Sequence, residues 1–243
     1  MSTFWWPEWQ VHPQVRVLVS RRHGTLSPPP WQGFNPGLNT GDDVARVTMA
    51  RARLAQQTGC TLPPFWLHQV HGVRVAAYGD ADNCADGAFS CTVGQPCVVL
   101  TADCLPILLA RNDGSAVAAL HGGWRGLLAG IIEQGVQALA PAGEALSAWL
   151  GPAIGACCYQ VGDAVRDDFV AAHRDAARAF TADGPGHWRC SLTTLARQRL
   201  HACGVQSVAG GDHCTHCLQD DFYSFRRDGD TGRFASLIWL AHS

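Results

Sequence analysis

The chain has 243 residues, 47% of them hydrophobic, enough to bury one substantial core. Its net charge is −2 and its basic residues are scattered apart from Arg21-Arg22 and Arg226-Arg227, which argues against a nucleic-acid binder and for a small-molecule substrate. No apolar run reaches the roughly 18 residues that span a bilayer, and Met1 to Gln10, with three Trp, has neither the basic start nor the apolar run of a signal peptide. These features lead us to expect a cytoplasmic protein with no membrane partner, and they leave its oligomeric state open.

Val15 to Ser20 alternates as a strand does, and a loop rich in Gly, Pro and Asn runs from Trp31 to Asp43. Asp42 or Asp43 is placed to cap a helix from about Val44 to Thr58, with Gly59 as its stop. Strand character returns from Arg74 to Ala77. Val98 to Thr101 reads as a buried strand, interrupted by Ala102-Asp103-Cys104-Leu105-Pro106 and resumed from Ile107 to Ala110. Asn112-Asp113-Gly114 is a turn, after which Ala116 to Leu120 forms a further strand. That strand ends at His121, a glycine-rich turn follows, and one helix is expected over about Leu127 to Leu139. Helices are also expected near Asp163–Ala172 and Leu192–Cys203, with a last buried strand from Phe234 to Leu240. With no linker and no regular βαβ rhythm, residues 1–243 read as a single α/β (α+β) domain of mixed β-sheets flanked by helices.

His71, Cys104 and His121 share a setting: each sits where an apolar strand meets a tight turn marked by glycine or proline. Strand ends hold side chains to a defined geometry. Two imidazoles and a thiolate suit zinc, and three protein ligands leave a fourth position open, as catalytic sites require. Spacing alone leaves a structural role for each of the three equally open. Arg125, held between Trp124 and Gly126, is an anion candidate because a guanidinium fork matches phosphate or carboxylate. Gly151-Pro152-Ala153-Ile154-Gly155 matches neither nucleotide-binding fingerprint and reads as a tight turn.

The eleven cysteines are odd in number and come without an export signal, so most should be thiols packed as small hydrophobes. His213-Cys214-Thr215-His216-Cys217 contains a Cys-x-x-Cys pair, half of a zinc ribbon. No second such pair completes it, although Cys157-Cys158 or Cys190 could contribute. Side chains in an extended segment face alternate ways, so Cys214 and Cys217 are expected to be incidental rather than ligands.

Five motifs then occur in order: His68 to Gly72, Thr101 to Pro106, His121 to Gly126, Gly151 to Gly155 and Phe225 to Asp228. Together they resemble the bacterial YfiH family, known variously as laccase-domain polyphenol oxidases, purine nucleoside phosphorylases and peptidoglycan editing factors. The resemblance runs from about Val15 to Leu240. It implies one Zn(2+) per chain on His71, Cys104 and His121. It also maps Asn39, in the loop Phe34 to Asn39, and Arg51, in the helix that follows, onto substrate or phosphate binding. Relatives commonly carry Asn before that Arg; Ala50 stands there here.

Of the family's activities, the reading preferred is phosphorolysis of adenosine, inosine or methylthioadenosine, with adenosine deamination as a companion. Arg51 and Arg125 would bind phosphate, Asp103 would handle protons, and Trp124 or Phe225 would stack on the base. Zinc-dependent amide hydrolysis on a misloaded UDP-muramoyl amino acid is the alternative. Copper oxidase chemistry is not expected, because neither Met1 nor Met49 lies near the three ligands and the chain has no His-x-His pair.

Overall fold

The computed structural model describes residues 2–242, and in it the long apolar runs become the inner strands of two stacked sheets. In chain order the strands are β1 (Phe4–Trp5), β2 (Val15–Ser20), β3 (Val75–Ala77), β4 (Gly87–Ser90), β5 (Cys97–Thr101), β6 (Leu105–Arg111), β7 (Val117–Gly122), β8 (Leu146–Leu150), β9 (Gln160–Gly162), β10 (Phe180–Ala182), β11 (His187–Cys190), β12 (Ser207–Gly210) and β13 (Phe234–Leu240). The α-helices are α1 (Val44–Thr58), α2 (Trp124–Ala129), α3 (Ile131–Leu139), α4 (Asp163–Ala172), α5 (Leu192–Ala202) and α6 (Phe225–Asp228).

One sheet runs β1-β2-β13-β5 and is antiparallel throughout. The larger runs β12-β8-β6-β7-β4-β3 and is mixed, with parallel pairs only at its two edges. A small antiparallel sheet, β10-β11-β9, stands apart. The mixed α+β class expected from the sequence is the class observed.

Alternation along β6 explains the layering. Leu108 and Ala110 point toward the smaller sheet, where they join Val99, Phe234 and Ile238 in one core. Ile107 and Leu109 point the other way, onto Ile131 and Leu139 of α3 and Leu195 of α5. Both faces are covered, which is why this run is apolar without a break. Each leucine or isoleucine among them contributes roughly 1.5–3 kcal/mol by burial. On the far side of the smaller sheet, Leu237 and Trp239 pack with Ala50 and Leu54 of α1. Ala50 is thus a core residue.

The helix signals hold well. Asp43 caps α1 by accepting from the Arg46 N–H, and Gly59 ends it in the left-handed region. Two expectations need correction. The helix expected over Leu127–Leu139 is broken into α2 and α3 at Gly130, whose φ of 103° no helix tolerates. More consequentially, the interrupted strand spanning 98–110 is two strands in different sheets, β5 and β6. Ala102-Asp103-Cys104 is the crossing between them, and Asp103 makes it with a φ of 92°, costly for a residue with a Cβ.

Candidate metal centre

That crossing puts Cys104 between the sheets, beside the end of β7, which carries His121. The third residue arrives on the segment before β3. Gln69 pins that segment to β5 with a pair of bonds, donating from Nε2 to the Leu100 carbonyl and accepting from the Leu100 N–H at 2.9 and 2.8 Å. His71 itself has φ 63°, a second left-handed non-glycine residue. Strain of this kind persists only where the surroundings hold it, and both instances fall at the same spot.

One carboxylate does the holding. Asp86 accepts from the backbone N–H groups of Val70, His71 and Gly72 at 3.1, 2.9 and 2.6 Å, and its Oδ1 lies 2.8 Å from His121 Nδ1. It is 0% exposed. The bond at Nδ1 leaves His121 Nε2 as its free donor, as a carboxylate–histidine–metal relay requires. Burial raises the Asp86 carboxyl, but the bonds from His121, Gly72 and Val70 outweigh it and the net shift is downward.

His71 Nε2 and Cys104 Sγ are 3.9 Å apart, the two imidazoles stack edge to face at 4.7 Å, and the three ligand atoms all lie within 4.8 Å of one another. A tetrahedral ion with bonds of about 2.0–2.3 Å to nitrogen and sulfur spaces its ligands by about 3.5 Å, so this donor set fits one. Burial alone would raise the Cys104 thiol; the His121 and His71 imidazoles override it and draw it down to about 6. For His121 burial acts downward, and Cys104 with Asp86 overrides it to about 9. The cluster therefore favours the Cys104 thiolate, with the His121 imidazole as its partner.

Space for an ion depends on Gly123, the residue between β7 and α2. A Cβ there would come within 2.9 Å of His71 Cδ2 and 3.2 Å of Cys104 Sγ. Gly123→Ala should therefore lower metal affinity by about tenfold or more while the fold, read by circular dichroism, stays intact. Metal binding equal to the parent's would show that the ligands have more room than the geometry gives them.

The three residues open onto a cavity of about 820 Å³. Its wall also carries Arg51, Trp66, Trp124, Arg125 and Tyr159, with Phe225 and Arg226 at one side. Arg51 donates through Nε to the Pro36 carbonyl and lies 4.1 Å over the Trp66 ring, and burial lowers its guanidinium to about 10, still charged at neutral pH. Arg125 is exposed and stacks at 4.4 Å on Trp124, with no ion pair among the described residues. Asn39 is exposed on the cavity rim in a 3₁₀ turn, Leu38–Thr40. Asp103 lines the cavity, yet both its carboxylate oxygens are engaged: Thr215 Oγ1 donates to Oδ1 at 2.6 Å and the Arg226 N–H to Oδ2 at 2.7 Å. The six residues singled out in the sequence, together with Asn39, thus meet around one chamber.

The family described as multi-copper polyphenol oxidoreductase laccase matches residues 16–241. The chain belongs to this family, that of the YfiH proteins. It is 44% identical to a protein of Pseudomonas aeruginosa named purine nucleoside phosphorylase, over 99% of both chains. It is 42% identical to the purine nucleoside phosphorylase YfiH of Escherichia coli, over 99% of this chain and 100% of the relative. A crystal structure of a Neisseria meningitidis protein superposes with a TM-score of 0.93 at 38% identity, over 99% of this chain and all of the other. A Bacillus licheniformis YfiH structure gives 0.86 at 29% identity, over 93% of each chain.

Several residues of this YfiH-family chain that shape the chamber were not singled out in the sequence. Asp86 is the foremost. Asn35 is another: buried, it donates to Thr40 Oγ1 and Asp42 Oδ2 and accepts from the N–H groups of Gly37 and Arg233, which ties the Asn39 loop to the strand side of the cavity. Tyr159 and Arg233 also line the wall, beside Arg226 of the fifth motif.

The expectation that Cys214 and Cys217 are incidental rested on an extended segment and on the lack of a second Cys-x-x-Cys pair. No second such pair exists, but the segment is not extended. Residues 214–217 form a turn closed by the Leu218 N–H on the Cys214 carbonyl at 2.9 Å, which points both thiols the same way. Cys157 and Cys158 meet them, and all four sulfurs lie within 4.8 Å of one another. Cys190, the other thiol considered, is buried in the core and takes no part. His213 packs against Trp5 and Phe222 rather than joining the thiols.

Proposed function

We propose that the chain is a zinc-dependent purine nucleoside phosphorylase acting on adenosine, inosine and methylthioadenosine, with adenosine deamination in the same chamber. The observation that carries the reading is the meeting, in one cavity, of a three-ligand His2Cys cluster, four arginines including Arg51 and Arg125, and several aromatic faces. A purine needs a flat apolar face, phosphate needs a guanidinium fork, and both are present. The names of the relatives point the same way.

Zinc suits the donor set better than copper. Met49 is exposed on α1 and no methionine lines the cavity among the described residues, so the axial ligand of a blue-copper centre is missing. The other cluster with metal-ligand spacing consists of thiols alone, unlike the histidine-rich sites that several coppers demand. Held by His71, Cys104 and His121, zinc supplies Lewis acidity and makes water a nucleophile near neutral pH.

This chain's residues account for the rest. Trp124, Tyr159 or Phe225 offers a face to the base, and Arg51 and Arg125 hold phosphate in reach of the ribose. In phosphorolysis a phosphate oxygen bonds to C1′ as the C1′–N9 bond breaks, and the purine leaves with its electron pair and takes up a proton. In deamination water adds at C6 and ammonia departs. Asp103, pinned by Thr215 and Arg226, is a positioning residue first and would relay protons through a bound water. Among the described residues no helix is long and apolar enough to cross a membrane, and all eleven cysteines are free thiols, which fits a reaction carried out in the cytoplasm.

The test is a comparison of substrates. Purified protein given inosine and phosphate should release hypoxanthine and ribose 1-phosphate in equal amounts, and given a UDP-muramoyl amino acid should release nothing. Amino acid release without nucleoside cleavage would transfer the same ligands to amide hydrolysis and sink the proposal. Arg51→Ala and Arg125→Ala should each raise KM for phosphate by about 10-fold or more, with metal content unchanged. Lys at either position should restore only part, since a point charge cannot replace a fork. Unchanged phosphate dependence in both Ala variants would show that the anion binds elsewhere.

A further inference from the structure

The geometry points to a second, structural zinc site formed by Cys157, Cys158, Cys214 and Cys217. Four of their sulfur–sulfur distances are 3.5–3.7 Å: Cys157 to Cys158, Cys214 and Cys217, and Cys158 to Cys217. A tetrahedral ion with Zn–S bonds of about 2.3 Å sets its sulfurs about 3.8 Å apart. The thiols therefore already stand nearly as the corners of one coordination sphere. They are too close together for an iron–sulfur cubane, whose irons and sulfides keep the cysteine sulfurs much further apart. Four thiolates also leave no open position, which marks a closed, structural site rather than a catalytic one.

Packing does not explain the cluster. Cysteine gathers in cores as a small hydrophobe, but Cys157 and Cys217 are exposed and Cys158 and Cys214 half-buried. The core thiols Cys97 and Cys190 sit elsewhere and singly.

The backbone around the thiols is organised as a ligand shell is. Cys157-Cys158 lies in a turn closed by the N–H groups of Cys158 and Tyr159 on the Gly155 carbonyl, both at 3.0 Å. The Gly155 N–H donates to Cys214 Sγ at 3.2 Å, the kind of bond that steadies a coordinating thiolate. A Cβ at Gly155 would press on Cys157 and Cys214 at 3.1–3.2 Å. On the other turn, Arg227 donates to the carbonyls of Thr215 and His216, and Arg189 donates to that of Cys157.

The two turns meet on one wall of the catalytic chamber, at Asp103: the Ile154 N–H donates to the Asp103 carbonyl, and Arg226 lies 5.1 Å over the Tyr159 ring. One leads from Ile154 to Tyr159; the other carries Thr215, which holds Asp103, and continues to Phe225 and Arg226. Among the described residues their ladder contact is the isolated bridge between Ala153 and Cys214, made by the Ala153 N–H on the His213 carbonyl and the Thr215 N–H on the Ala153 carbonyl. A tetrathiolate ion would clamp the two turns beyond that bridge, and so steady the wall that holds Asp103.

The experiment uses the full chain. Zinc-replete parent protein should carry about two zinc ions, Cys104→Ala about one, and Cys158→Ser/Cys217→Ser also about one. Cobalt(II) loaded into Cys104→Ala should give intense sulfur-to-cobalt charge-transfer bands with the visible bands of a tetrahedral site. In the parent, Cys157, Cys158, Cys214 and Cys217 should resist alkylation until a chelator is added, then react together, a readout that needs no substitution. The proposal is overturned if the parent carries one zinc that Cys104→Ala removes, if cobalt in Cys104→Ala shows no thiolate bands, or if the four thiols are alkylated at once. Peptide mapping that finds them joined as disulfides would overturn it equally. None of these outcomes depends on the nucleoside reaction.

Discussion

Cys104→Ala should remove the metal and the activity together. The thiolate supplies the only negative charge among the three ligands, and the remaining imidazoles make a weak neutral pair. Metal at the His71–His121 site should fall to less than about a tenth of the parent value, and kcat/KM by about a thousandfold. Elemental analysis and nucleoside turnover on the same sample check both. Because Cys104 is a small side chain at a crossing between sheets rather than a core anchor, the fold should survive, with far-ultraviolet circular dichroism like the parent's. A variant that keeps turnover after losing its metal would separate the ion from the reaction.

The second large effect is expected at Asp86, a residue that touches no substrate. In Asp86→Asn one side of the amide can still accept, but its NH₂ group faces donors and its charge is gone. Loss of the carboxylate–histidine pair typically costs 10- to 100-fold in metal affinity or activity, and the same range is expected here. Asp86→Ala should do more, because three backbone N–H groups and His121 Nδ1 lose their acceptor at once. Leaving the buried His121 Nδ1 unpaired costs about 1–3 kcal/mol and the part-buried N–H groups add less each, so a drop in Tm should accompany the loss of metal. If Asp86→Asn binds metal as tightly as the parent, the carboxylate serves only the loop.

The contrast between these two residues says what could be read from the chain. Cys104, His71 and His121 could be singled out because a strand, a reactive side chain and a turn-forming Gly or Pro lie next to one another in sequence, and the family resemblance, not that pattern, assigned them to a metal. Asp86 was not, because its partner His121 is 35 residues away and its neighbours Ala85 and Gly87 make it resemble any polar turn residue. The helix α1 was legible for the same local reason as the ligands, through Asp43 and Gly59. The crossing at Ala102-Asp103-Cys104 was not: an apolar run buried on both faces has the same pattern whether it stays in one sheet or passes to the next. Arg51 and Arg125 entered through the family resemblance and through a position between Trp and Gly, and the structure places both on the cavity wall. The four-thiol cluster joins two turns about 57–60 residues apart, and half of it is a Cys-Cys dipeptide that carries no spacing signal.

The central claim is that a zinc ion on His71, Cys104 and His121 is needed for phosphate-dependent nucleoside cleavage. Its most direct test is to strip the protein with a chelator and return metals one at a time, following ribose 1-phosphate formed from inosine in the presence and absence of phosphate. Activity should vanish on stripping, return with zinc rather than copper, and require phosphate throughout. Cleavage by the metal-free protein at the parent rate, or return of oxidase activity with copper and none of nucleoside cleavage with zinc, would contradict it.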